Sequence, residues 1–240
     1  MTSFHRLLGI SIIVSAVALP PAEGRYLACQ TPAAQAQQQS DGQRIKRKTS
    51  TPYTGDLSIF EDPRREENLQ INRVMDLLKI KESSNVADIG AGSGWFTVRA
   101  ARRVGPGGKV YAVEINADFL EHIDQRAASE KLSNIQTVLG KEDNPRLPAA
   151  TIDAVLILKT YHEIAQPILL LSHLRASMRP GGLLGIIDRN GNGRDHGVAK
   201  KTVISEAKEA GFSTVDEYDF VKADGMDYFL ILRADPVPSH

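Results

Sequence analysis

The sequence predicts an α/β fold in which strands and helices alternate and a short hairpin closes the chain. Three observations predict it. Residues 86–114 read as strand, glycine turn, helix and second strand. Residues 152–158 (I-D-A-V-L-I-L) are almost wholly apolar, as a parallel strand covered on both faces must be. Residues 214–220 and 228–232 read as strands joined through Asp224 and Gly225, a hairpin signal.

The chain has 240 residues, with 29 Lys+Arg against 29 Asp+Glu, so its formal net charge is zero. No overall field favours nucleic acid or an anionic membrane surface. An apolar content of 42% fits a globular protein. The single cysteine, Cys29, excludes a disulfide framework or a Cys-rich zinc or iron–sulfur site within the chain. No metal is assigned.

Residues 1–24 carry His5 and Arg6, then an apolar run ending at Pro20 and Pro21. A short positive start followed by an apolar run of this length reads as a signal-peptide-like leader, too short to span a membrane comfortably. The expectation is export (periplasmic or secreted), or association with the membrane if the segment is kept as an anchor. The chain is cytoplasmic if the segment is not a leader. Cleavage near Ala22 and cleavage after Ala34-Gln35-Ala36 both remain open, and Leu27-Ala28-Cys29 faintly resembles a lipoprotein site. Residues 25–60, rich in Gln, Ala, Ser, Thr and Pro, read as a disordered linker. Its basic cluster Arg44, Lys46, Arg47 and Lys48 reads as a solvated tether. One folded domain is expected over 61–235.

In that domain Ile71, Val74, Met75 and Leu78 recur at helical spacing and predict one helix over 64–80, with Arg64, Arg65, Glu66 and Glu67 at its solvated start. Asp88 closes the first strand, and Gly90, Gly92 and Gly94 follow at every second position. Glycine suits a tight turn that a ligand approaches closely. The next helix, from Trp95 to Val104, turns its free N–H groups towards that ligand and stops at Gly105-Pro106-Gly107-Gly108. A second strand runs from Lys109 to Glu114, a helix covers 118–131 and a third strand covers 135–139. After the apolar strand comes Lys159-Thr160-Tyr161-His162-Glu163, at the sheet end where open α/β folds bind ligands. Pro167 starts a helix, 183–188 form a fifth strand, and the polar, glycine-rich 190–197 are a candidate lid. A last helix over 202–210 precedes the hairpin.

Glu114 ends the second strand where a dinucleotide-like fold sets a carboxylate against ribose hydroxyls. The third glycine of the dinucleotide fingerprint is replaced by Trp95. An acid ahead of the glycines, Asp88, suits a ligand bearing an ammonium group better than a pyrophosphate. This D-x-G-x-G-x-G followed by Glu114 resembles motif I and its acidic follower in the class I S-adenosylmethionine-dependent methyltransferases, closest to the small-molecule, type 11-like branch. The resemblance covers about residues 64–233.

The resemblance implies a Rossmann-like, seven-stranded, mostly parallel sheet flanked by helices, with the last strand antiparallel. It implies S-adenosyl-L-methionine as cofactor, held by Asp88, Gly90, Gly92, Gly94 and Glu114. The adenine amino group would meet Glu142 or Asp143, because Lys141 stands where the family has its first acid after the glycine. Methyl transfer from a sulfonium is an in-line displacement, so the protein chiefly holds nucleophile and methyl in line. His162 is the candidate general base. Tyr161 is a candidate to line the methyl pocket or bond the substrate, and Glu163 to orient His162. Asp188-Arg189 reads either as a subsite for an anionic substrate or as a structural ion pair. The domain has no cysteine, which removes chemistries built on a thiolate. Lys159-Thr160-Tyr161-His162 lacks the prolines of the DNA amino-methyltransferases, and no basic face or nucleic-acid module is present. A small-molecule acceptor remains. The alternative is a non-enzymatic, exported nucleoside- or metabolite-binding protein on the same fold.

Overall fold

A computed structural model describes residues 46–192, 196–222 and 224–235. The leader, the linker up to residue 45 and the middle of the glycine-rich 190–197 stretch lie outside the described residues. Among those described, no helix is long and apolar enough to cross a membrane.

Seven strands form one sheet: β1 (Asn85–Ile89), β2 (Lys109–Glu114), β3 (Ile135–Leu139), β4 (Ile152–Leu158), β5 (Met178–Arg189), β6 (Phe212–Tyr218) and β7 (Asp227–Ala234). Their order is β3-β2-β1-β4-β5-β7-β6. β1 pairs in parallel with both β2 and β4, and β4 in parallel with β5. β7 runs antiparallel to both of its neighbours. This is the expected Rossmann-like sheet with the last strand antiparallel. β5 starts earlier than its apolar run suggests, because Met178 already pairs with Ile152 before the register shifts to Leu183 opposite Ala154.

Among the described residues six helices accompany the sheet: α1 (Arg65–Leu69), α2 (Ile71–Leu77), α3 (Trp95–Val104), α4 (Ala117–Ser129), α5 (Pro167–Ser177) and α6 (Lys200–Glu209). The period of two along the strands divides the core between the sheet's faces. Ile157, Leu184 and Leu230 pack with Leu170, Leu171 and Leu174 of α5 and Val203 of α6. Leu156, Ile187 and Phe229 point the other way, to Trp95, Phe96 and Ala100 of α3 and Val74 of α2.

The single helix expected over 64–80 is two helices. Gln70 breaks it in the left-handed region, at φ 46° and ψ 49°. Leu69 and Ile71 are both buried, yet residues two apart face different sides of one helix. The break lets both reach the core and leaves α1 free to turn Arg65 elsewhere.

The chain winds outward from β1 to β3, then returns to the other side of β1 as β4. The topological switch point therefore lies between the carboxyl ends of β1 and β4, where such sheets form their ligand crevice. Gly90–Gly94 follow one strand and Lys159–Glu163 the other. The two loops touch. Gly90 has φ +70°, and a Cβ there would lie 2.6 Å from the Thr160 hydroxyl oxygen.

The linker expected to extend to residue 60 is corrected for 46–60. These residues pack on the domain and end in a short 3-10 helix at Leu57–Glu61. Arg47 gives the physical reason. Its backbone N–H donates to the Ala165 carbonyl at 2.9 Å. Its guanidinium donates to the carbonyls of Tyr161 (2.6 Å) and Ile164 (3.0 Å) and pairs with Glu206 at 2.9 Å. At the other end, Glu61 accepts from the Ser93 hydroxyl (2.7 Å) and pairs with Arg126 (2.6 Å). Arg47 is thus an anchor rather than part of a solvated tether.

Candidate active site

A cavity of about 1200 Å³ occupies the crevice. Gly90 and Gly92 of the glycine turn, Glu114 and Asn116 after β2, and Lys141 and Glu142 line one part. Lys159, Thr160, His162 and Glu163 after β4, with Arg189 and His196, line another. Tyr53, Ile59 and Phe60 of the anchored segment, together with Arg65, form further wall.

Five sequence-expected residues meet here: Gly90, Gly92, Glu114, Glu142 and His162. Gly90 and Gly92 both hold positive φ, +70° and +55°, a backbone that glycine adopts without strain. The Gly92 N–H donates to Glu114 Oε2 at 3.1 Å, and the Ile115 N–H donates to Oε1 at 2.7 Å. These bonds fix the carboxylate at the strand end and leave acceptor capacity for a ligand hydroxyl. The arrangement fits a nucleoside. Glu142 is exposed on a turn closed by mutual backbone bonds between Lys141 and Asn144.

Four expected residues are not in the cavity wall. Asp88 is buried and accepts from the Thr97 hydroxyl at 2.6 Å. Burial pushes its carboxyl up to about 6, against the opposing pull of Thr97 and Arg65. It ties α3 to β1 through Thr97 and does not line the cavity. Gly94, at φ +75°, caps α3 where a Cβ would meet Ile123 at 3.1 Å. Its smallness serves helix packing. Asp143 turns its carbonyl to His173 Nδ1 at 2.8 Å; of the two acids proposed for the adenine edge, only Glu142 reaches the cavity.

Tyr161 is the largest departure. It is fully buried under the sheet, with its hydroxyl donating to Glu206 at 2.8 Å and the Arg47 guanidinium 5.1 Å from its ring centre. It braces the anchor of the N-terminal segment and is not part of the cavity wall.

His162 is buried but reaches the cavity. Its backbone N–H donates to Asp188 Oδ2 at 3.0 Å, and its Nδ1 lies 2.9 Å from Asp188 Oδ1. With Nδ1 protonated, Nε2 is the free nitrogen. Glu163, expected to orient the ring, sits on the far side, with its Oε1 3.9 Å from Nε2. Burial pushes the Glu163 carboxyl up to about 7, although His162 opposes this. Asp188 is fully buried and spent on His162 and the Arg189 N–H (2.7 Å). It is neither an open subsite nor an ion pair with Arg189.

Arg65 stands where the sequence predicts the solvated start of a helix. It lines the cavity, with its guanidinium 4.6 Å from the Trp95 ring centre and bonded to the Phe60 carbonyl at 2.7 Å. The break at Gln70, invisible to a periodicity count, puts it there. His196 is the other residue that sequence reasoning did not single out, since its partners are distant in the chain.

Residues 86–182 match the family described as a methyltransferase domain. Over these residues the chain is similar to methyltransferase domains. A protein-L-isoaspartate O-methyltransferase of Methanothrix thermoacetophila is 28% identical over 111 residues, 46% of this chain and 50% of that protein. A nocamycin O-methyltransferase of Saccharothrix syringae is 32% identical over 83 residues, 35% of this chain and 30% of that protein. The chain thus spans half or less of the length of either relative. A crystal structure described as a SAM-dependent methyltransferase from Aquifex aeolicus superposes with a TM-score of 0.67 at 23% identity, covering 75% of this chain and 98% of that one. That likeness concerns the fold alone.

Proposed function

We propose that this chain is a methyltransferase that uses S-adenosyl-L-methionine to methylate a small-molecule acceptor. One observation carries the reading: a single cavity joins the glycine turn and Glu114 to the His162–Asp188 pair. Its volume of about 1200 Å³ exceeds what one drug-sized ligand needs, which supports room for a nucleoside and an acceptor together.

In this reading the nucleoside lies over Gly90 and Gly92, with its ribose hydroxyls donating to Glu114 and its adenine beside Glu142. The Arg65 guanidinium takes the methionyl carboxylate, a charge-assisted bond for which a planar donor fork is suited. The sulfonium methyl then faces His162, which acts on the acceptor's nucleophile. The protein's main contribution is alignment for an in-line displacement. Partial enclosure by Tyr53, Ile59 and Phe60 favours an acceptor that fits within a cavity. A relative acts on isoaspartate in protein, as its name states, so the test includes a peptide.

The experiment is to incubate the full chain with methyl-labelled S-adenosylmethionine and a panel of hydroxylated small molecules, with an isoaspartyl peptide alongside. The expected result is label in a small molecule, with S-adenosylhomocysteine formed in equal amount. Label in the peptide alone would overturn the small-molecule assignment.

A further inference from the structure

We propose that His162, Glu163 and His196 hold a divalent transition-metal cation of the zinc or cobalt class at the acceptor end of the cavity. One ligand atom from each residue lies within 4.8 Å of the other two. The His162 and His196 rings approach edge to face, 5.8 Å between centres and 87° between planes. All three residues line the cavity, so an open coordination position faces the interior.

Asp188 strengthens the assignment. Metal-bound histidines commonly give their second ring nitrogen to a carboxylate, which fixes the tautomer and aims the other nitrogen at the ion. Asp188 holds Nδ1 of His162 at 2.9 Å and is fully buried, leaving Nε2 as the ligand atom. Two imidazoles with one carboxylate suit zinc and its neighbours rather than magnesium or calcium, which prefer all-oxygen shells. Bonds of about 2.1 Å require ligand atoms roughly 3.4 Å apart in a tetrahedral site. The observed 3.9 Å between Nε2 and Glu163 Oε1 is about half an ångström wider. His162 is buried and fixed, so the half-buried Glu163 carboxylate closes this gap, and the exposed His196 ring is free to complete the site.

What the cation does rests on the proposed methyl transfer. A hydroxyl-bearing acceptor takes the open position and releases its proton to solvent. The metal-held oxyanion then forms the C–O bond as the C–S bond breaks, and the bonding pair stays on sulfur. His162 then serves as a ligand rather than as a base, because Nε2 is its one free nitrogen. The sequence assigned no metal because His196 stands far along the chain from the adjacent pair.

The test is titration of the full chain with Co²⁺, read by the visible d–d bands of a low-symmetry site, and with Zn²⁺ by calorimetry. One equivalent is expected to bind. His196→Ala and Glu163→Gln should each weaken binding at least tenfold, Asp188→Asn by about 10–100-fold, and His122→Ala, on the exposed face of α4, not at all. Absence of binding, or binding indifferent to His196→Ala and Glu163→Gln in variants with native circular dichroism, overturns the site. S-adenosylhomocysteine affinity measured on the same protein without metal reports separately on the nucleoside half. Loss of the metal site therefore leaves the methyltransferase reading standing.

Discussion

Asp188 grips His162 twice, accepting from its backbone N–H at 3.0 Å and lying 2.9 Å from its ring Nδ1. One buried carboxylate at the end of β5 therefore fixes both the start of the loop after β4 and the orientation of its imidazole. Asp188→Asn keeps the shape but removes the charge that favours the Nδ1–H tautomer. Turnover is expected to fall on the order of 10²-fold, the lower range for a misoriented acid–base group, with nucleoside affinity unchanged. Equal losses of turnover and affinity would make the pair a general structural brace.

Glu114 offers a sharper test of the cofactor half. Glu114→Gln keeps an acceptor for the Gly92 N–H but removes the charge, and it is expected to cost about 1.5–3 kcal/mol of S-adenosylhomocysteine binding if a ribose hydroxyl donates to it. Calorimetry reads this directly. Unchanged affinity would remove the ribose assignment.

The buried Asp88 carboxyl predicts a pH signature in stability. Its native pKa lies at about 6 against an ordinary 3.8, so the native state holds the proton more tightly than the unfolded chain. Stability from this group is present below pH 4 and is lost as pH rises through 6. Asp88→Asn removes the loss. Urea unfolding should show the variant gaining on the native protein by about 2–3 kcal/mol between pH 4 and pH 7. A difference independent of pH would mean that Asp88 is not held against its charge. The charged groups acting on it are Arg65 and Glu114, and both are retained in the variant.

Arg47→Ala removes the ion pair to Glu206 and the bonds to two carbonyls. Glu206 stays largely buried without its cation, which is expected to cost about 3 kcal/mol. Residues 46–61 should become sensitive to protease. A variant as stable and as resistant as the parent would contradict the anchoring described above.

Much of the fold was legible because its signals are local. The glycine turn, the apolar β4 and the acid ending β2 are each written within a few residues. The departures share one cause, which is contact across long stretches of chain. Nothing in a basic cluster marks Arg47 as the residue that docks on Tyr161 and Glu206. Nothing beside Asp188 shows that its carboxylate is spent on His162. A periodicity count cannot see that Gln70 turns left-handed and swings Arg65 to the cavity. Among the expected site residues, Gly90, Gly92 and Glu114 depend on local geometry and meet in the crevice. Tyr161 sits next to His162 in sequence, but only His162 reaches the cavity, while Tyr161 packs with Glu206 and Arg47.

The most direct test of the central claim is calorimetric titration of the full chain with S-adenosylmethionine, S-adenosylhomocysteine and NAD in parallel. The account predicts micromolar binding of both sulfur nucleosides and none of NAD. A well-folded protein that binds neither nucleoside would show that the crevice over Gly90 and Gly92 does not serve that cofactor, and the proposed methyl transfer would fall with it.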